Sequence, residues 1–247
     1  MVPHKFTGLL SAVLLVFIHT NVFAQTRRSP TGGRIAVVVD ERLAALRSTP
    51  ELNGRLVRRL SRGRLVAIRS MKTNRAGITF LLVNVTSRTS GWIQRESVAS
   101  SSRSGDDIRL VRLIENSQGY DRIARARIFL DHFRRSPLRP LVLLLLGDTA
   151  EKLAASLSQS ATRKLTNRGT LEAPEFTYYL NYPGLDRYNR QGVNFTFNSM
   201  TKHFHYDGSA YRQLLRHHPK SAEATQAREL LIQLDHEGYM EEPKDSP

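Results

Sequence analysis

The chain has 247 residues, with 37 Lys+Arg against 22 Asp+Glu, eight His and no cysteine. That length gives room for one large domain or two modest ones, each able to bury a core. The 40% hydrophobic and 24% charged residues make an ordinary globular composition. Without cysteine there can be no disulfide, no thiolate metal site, no Cys nucleophile and no lipidated N-terminal Cys.

The N-terminus reads as a secretory signal over residues 1–24. His4 and Lys5 form a short basic start, Leu9 to Ile18 is almost wholly apolar, and Val22-Phe23-Ala24 has the small-x-small pattern of a cleavage site. An apolar run of about ten residues falls well short of the roughly 20 that span a bilayer. Cleavage before Gln25 is therefore expected, leaving no transmembrane segment and an exported, periplasmic or secreted protein. The other apolar block, Leu141 to Leu146, lies between Pro140 and Gly147-Asp148 and reads as core.

Residues 25–33 read as a polar linker, and residues 34–99 as a β region. Ile35 to Val39, Leu65 to Ile68 and Ile78 to Val85 are apolar, β-branched runs. Thr49-Pro50 with Asn53-Gly54, Arg62-Gly63, and Asn74 with Gly77 supply the turns between them. Several short strands in so few residues predict a small barrel or sandwich. Residues 100–105 read as a second linker.

From residue 106 to 236 the apolar period is helical. Ile123, Ala126, Leu130 and Phe133 form one stripe; Ala150, Leu153, Ala154, Leu157, Ala161 and Leu165 form another; Ala224, Ala227, Leu231 and Leu234 form a third. Such narrow stripes bury themselves against one another. The chain also echoes itself at an offset of 85. Phe129 to Pro137 resembles Leu214 to Ala222, and Leu145-Leu146 matches Leu230-Leu231. Between the echoes, Val193, Phe195 and Phe197 alternate with polar residues, as do Phe204 and Tyr206, predicting a β-hairpin insert at about 190–207. Residues 176–211 carry ten of the 19 aromatic residues, either as core or as a stacking surface. Residues 237–247 read as a polar tail.

Leu46-Arg47-Ser48-Thr49-Pro50, the turn glycine of Ser61-Arg62-Gly63-Arg64-Leu65-Val66, and Gly91-Trp92-Ile93 together resemble the bacterial SH3 (SH3b) domain over about residues 35–98. One departure is Ser70 to Gly77, where that family often has a glycine and an aromatic before its central strand. The resemblance implies a small SH3-like β-barrel that binds cell-wall peptide, glycan or a protein partner, with no catalysis of its own. The two C-terminal echoes resemble tetratricopeptide hairpins, which imply a protein-interaction scaffold. The expected fold class is thus two-domain, an all-β SH3-like barrel followed by a mostly α-helical domain carrying a small β-hairpin.

The charge is lopsided. Residues 26–103 hold 16 Arg/Lys and four Asp/Glu, whereas residues 104–247 hold 20 and 18. On an exported protein, a one-sign field of this kind favours peptidoglycan carboxylates or another anionic envelope component over nucleic acid. Arginine suits carboxylate and phosphate because its guanidinium is a bidentate fork. The ligand-binding candidates are Trp92, Arg58, Arg59, Arg62 and Arg64, with Trp92 either a stacking platform or a semi-buried strand residue. His203 and His205 share a strand face, and His217 and His218 are adjacent, yet no third ligand stands at a metal-site spacing from the first pair. No Gly-x-Ser-x-Gly, Ser-x-x-Lys or phosphate-cradling glycine loop is present. The acid pair Asp106-Asp107 reads as solvated or as a helix start, and Glu241-Glu242 likewise. No catalytic residue, cofactor or metal is expected, and the function expected is a non-enzymatic envelope scaffold that docks to cell-wall peptide or glycan, or to an envelope protein. A metal-dependent or wall-active hydrolase with its site in residues 176–218 is the alternative, and a purely structural partner a third reading.

Overall fold

The β-branched run at the start of the first region forms β1 (Arg34–Val38), and the rest of that region follows it into one sheet. The structure is a computed structural model and describes residues 33–166 and 175–239. The expected signal peptide, most of the first linker and the end of the polar tail lie outside the described residues. The remaining strands are β2 (Ala45–Arg47), β3 (Leu56–Arg59), β4 (Leu65–Thr73), β5 (Thr79–Thr86), β6 (Thr89–Gln94) and β7 (Val98–Ala99). A 3₁₀ turn, Arg95–Ser97, separates the last two. All ladders are antiparallel and the order is β3-β2-β6-β5-β4-β1-β7.

The expected barrel is not closed. Among the described residues β3 pairs only with β2, and β7, two residues long, pairs only with β1, so no ladder joins the two edges. The sheet nevertheless curls. Leu46, Val66, Ile68, Leu81, Val83, Ile93 and Val98 all meet in one inner core that only the sheet region supplies. Register shifts in β4 and β5 provide the bend, since an extra residue on one strand sharpens its twist. The turn between β4 and β5 forms because Asn74 Oδ1 accepts the Ile78 N–H at 2.9 Å and Gly77 takes φ +77°.

The other part is helical, with seven α-helices among the described residues: α1 (Asp106–Glu115), α2 (Gly119–His132), α3 (Arg139–Thr166), α4 (Glu175–Leu180), α5 (Leu185–Asn189), α6 (Ser209–His217) and α7 (Ala222–Tyr239). The expected hairpin is β8 (Phe195–Asn198) paired with β9 (His203–Tyr206). Helices α2 and α3 pack on each other, α3 packs on α6, and α6 packs on α7.

The 85-residue echo repeats at the level of single hydrogen bonds. Phe133 N–H donates to Phe129 O at 2.8 Å, and His218 N–H donates to Leu214 O at 2.7 Å. Ser136 N–H donates to Phe133 O and Ser221 N–H to His218 O, both at 3.1 Å. The residues that end α2 and α6 leave helical geometry alike, at φ −108°, ψ 54° and φ −137°, ψ 50°. Two helix–turn–helix units of one design therefore share α3 and α6 as their contact.

Most of the described aromatic residues of the 176–211 segment are core. Tyr179, Tyr182, Tyr188, Phe204, Tyr206 and Tyr211 are all buried, and Tyr179 stacks on Phe197 with ring centroids 4.0 Å apart. Asn194 and Thr196 face out and Phe195 and Phe197 are half-buried, but Asn198 is half-buried too, so the expected alternation holds only as far as Phe197. The same core cluster reaches the sheet through Val37, Val39 and Ala99. β1 thus feeds both cores: Ala36 and Val38 point inward and Val37 points to the helices.

Candidate functional site

The five candidate residues divide by what the fold does with them. Arg58 and Arg59 lie on β3, where all four residues are exposed. Register places Arg59 opposite Ala45, Leu56 opposite Arg47, and Arg47 opposite Trp92. Directly paired residues share a face, so Arg59, Leu56, Arg47 and Trp92 lie on the side away from the inner core. Arg58, opposite the core residue Leu46, lies on the other side of the edge. Trp92 is half-buried.

Arg62 and Arg64 are engaged within the fold. The Arg62 side chain is only 13% exposed; its Nη1 donates to Asp121 Oδ1 at 2.9 Å and its Nη2 lies 3.6 Å from Glu41. Arg64 Nη2 donates to the Val85 carbonyl at 3.4 Å. Arg62 thus fastens the sheet to α2, and Arg64 ties the start of β4 to the end of β5.

What remains is an edge with both chemical characters of a docking strand. Beyond β3 no described strand pairs, so half its backbone N–H and C=O groups face outward. Among residues 33–99 the exposed large apolar side chains are Ile35, Leu52, Leu56, Val57 and Met71, and three of these five lie on β3 or its hairpin loop. Arg55, Arg58 and Arg59 are exposed beside them.

Gly91 positions Trp92. A Cβ there would sit 2.7 Å from the Arg47 carbonyl oxygen and 2.9 Å from Leu46 Cγ, so the Gly-Trp pair is a device for bringing β6 against β2.

The join between sheet and helices is polar and buried. Arg125 is 4% exposed and donates through Nε to Val39 O at 3.3 Å and through Nη1 to Ser117 Oγ at 2.6 Å. Its Nη2 lies 3.9 Å from Asp40 Oδ2. Arg42 donates to both oxygens of Asp40, at 3.1 and 2.9 Å, and these bonds hold the Asp40 carboxyl below the usual carboxylate range against the opposing effect of burial. Of the two readings of Asp106, the helix start holds and the solvated charge does not: it opens α1, is 1% exposed, accepts the Ser100 N–H at 2.9 Å and lies 3.4 Å from Arg109. The Arg109 guanidinium in turn reaches the Glu96 and Val98 carbonyls. Sequence reading misses this junction because its members come from segments far apart in the chain.

The alternative site in residues 176–218 has a cavity of about 330 Å³ between α3 and the hairpin, lined in part by His203, His205 and Glu151. His205 Nε2 is buried there without a hydrogen-bond partner. Tyr211 donates to Glu151 Oε2 at 3.1 Å, and burial together with that carboxylate pushes its phenol up. Among the described residues no three His, Asp or Glu side chains converge as a metal ion requires. No described helix is long and apolar enough to cross a membrane.

Comparison of the chain with models of known families, with curated proteins and with solved structures returns no match.

Proposed function

We propose that this chain is a non-enzymatic binding protein of the bacterial cell envelope, exported by its N-terminal segment. In this reading the sheet is an SH3b-like module that docks acidic cell-wall peptide, and the two helix–turn–helix units, similar to tetratricopeptide hairpins, form a scaffold for a protein partner. One observation carries it: β3 is an unpaired edge whose four residues are all exposed and which combines Leu56 and Val57 with Arg58 and Arg59. A peptide can add to such an edge as a further strand, with main-chain hydrogen bonds supplying affinity and side chains selecting the partner. Peptide carboxylates match the two guanidiniums. The inner core made by the sheet's own strands, and the Gly91-Trp92 packing of β6 on β2, support the kinship with small curled barrels.

Co-sedimentation with purified peptidoglycan tests the reading. Retention is expected at low salt and is expected to fall as salt rises past about 0.1 M, where screening shortens to about 10 Å. Absence of retention at low salt contradicts it.

A further inference from the structure

A second basic site opens where the inner core of the sheet meets solvent. Its cavity, of about 440 Å³, lies between β1, β4, β5 and the 3₁₀ turn after β6. The floor is apolar: Ile68 and Leu81 belong to the inner core, and Met71, 64% exposed, extends it outward. Four arginines, Arg34, Arg69, Arg95 and Arg103, line the walls, and among the described residues no Asp or Glu does. They come from the start of β1, the middle of β4, the 3₁₀ turn and the segment before α1, so only the fold gathers them.

Arg95 approaches Glu96 only at 3.9 Å, and Arg103 Nη1 lies 3.8 Å from Asp106, which Arg109 also approaches. That Nη1 atom is buried and has no hydrogen-bond partner. Burial lowers the pKa of Arg103, Asp106 opposes this, and the charges of Arg95, Arg109 and Arg34 lower it further, which marks how closely the cations are held. Like charges gathered around an apolar floor repel one another and attract an anion. A bare ion would leave the floor wet, and the cavity falls in the size range of small-molecule sites, about 300–1,000 Å³.

We infer that this cavity binds an oxyanion, phosphate or carboxylate, carried on an apolar stem. The guanidiniums take the head, and Ile68, Met71 and Leu81 take the stem. The site shares no residue with the β3 edge and does not rest on the docking reading.

Calorimetric titration of the full chain with inorganic phosphate, octyl phosphate, octanoate and octanol tests it. Saturable binding of octyl phosphate, octanoate or both is expected, at least about tenfold tighter than inorganic phosphate, with no binding of octanol; whichever alkyl anion is tighter identifies the preferred head. The double variant Arg34→Gln, Arg95→Gln is expected to weaken binding about tenfold or more, because both residues lie at the rim. Met71→Glu, at an exposed position, is expected to do the same by charging the floor, and it keeps the test open should the double variant fold poorly. Failure of both alkyl anions to bind, binding undiminished in either folded variant, or octanol binding as tightly as the anions would each overturn the inference.

Discussion

A methyl group on Gly147 would lie 2.2 Å from Tyr211 Cε1, so α3 can seat that ring only where it carries no side chain. Gly91 plays the same part between β6 and β2. Gly147→Ala and Gly91→Ala are each expected to cost about 1–3 kcal/mol, read by denaturant unfolding, because neither neighbour can retreat from a packed core. Gly91 was legible as half of a Gly-Trp signature, although the reason for it was not. Gly147 looked like the end of an apolar block, since its partner lies far along the chain. Three titrating residues bear on the acid side of stability, His132, Asp40 and His218, the last with its pKa lowered by burial and then by Arg139 and His217. Burial lowers the pKa of His132 despite Asp131 beside it, and Arg42 lowers that of Asp40. For His132 the stability gained is complete above its unfolded value of about 6.5 and is lost as pH falls through the folded pKa. For Asp40 it is complete above about 3.9 and is lost as pH falls through the folded value. Unfolding midpoints are therefore expected to fall in two stages on acidification, with His132→Gln shrinking the upper stage, to which His218 contributes in the same sense.

Helices and long strands were legible as elements because their periodicity is local. The three apolar stripes became α2, α3 and α7, and the run from Ile78 to Val85 became β5. The 85-residue echo marked two units whose terminal hydrogen bonds coincide. β2 and β3 were not legible. Leu56-Val57-Arg58-Arg59 shows no alternation, because an edge strand with both faces in water has nothing to alternate against. The same property makes β3 the docking candidate, and it separates binding from stability. Arg58→Glu with Arg59→Glu is expected to abolish retention on peptidoglycan while changing unfolding free energy by no more than about 0.5 kcal/mol, since both side chains are exposed. Arg62→Glu is the contrasting case: it sets a carboxylate against Glu41 and Asp121, and it is expected to lower stability measurably.

Across the whole molecule, charge was legible as a regional excess but not as a distribution. Residues 26–103 carry the surplus of arginine, yet Arg62 and Arg64 are bound internally, Arg58 and Arg59 lie on one edge, and Arg34, Arg69, Arg95 and Arg103 surround a cavity. The partition follows from strand order and curl, which bring together residues from unrelated turns. The two parts are joined by packing as well as by chain. Val37, Val39 and Ala99 belong to the core that the helices bury, and Arg125 crosses the junction to Val39 and Asp40. Heat or denaturant is accordingly expected to unfold sheet and helices in one transition, with far-UV dichroism and Trp92 fluorescence coinciding. Arg125→Leu leaves Asp40 and Ser117 short of a buried partner and is expected to cost about 2–4 kcal/mol. Docking of acidic wall peptide on β3 is tested most directly by amide hydrogen exchange of the full chain with and without a soluble cell-wall peptide. Added protection confined to Leu56–Arg59 and its hairpin is the outcome expected; a bound peptide that protects other amides and leaves β3 unchanged would contradict the account.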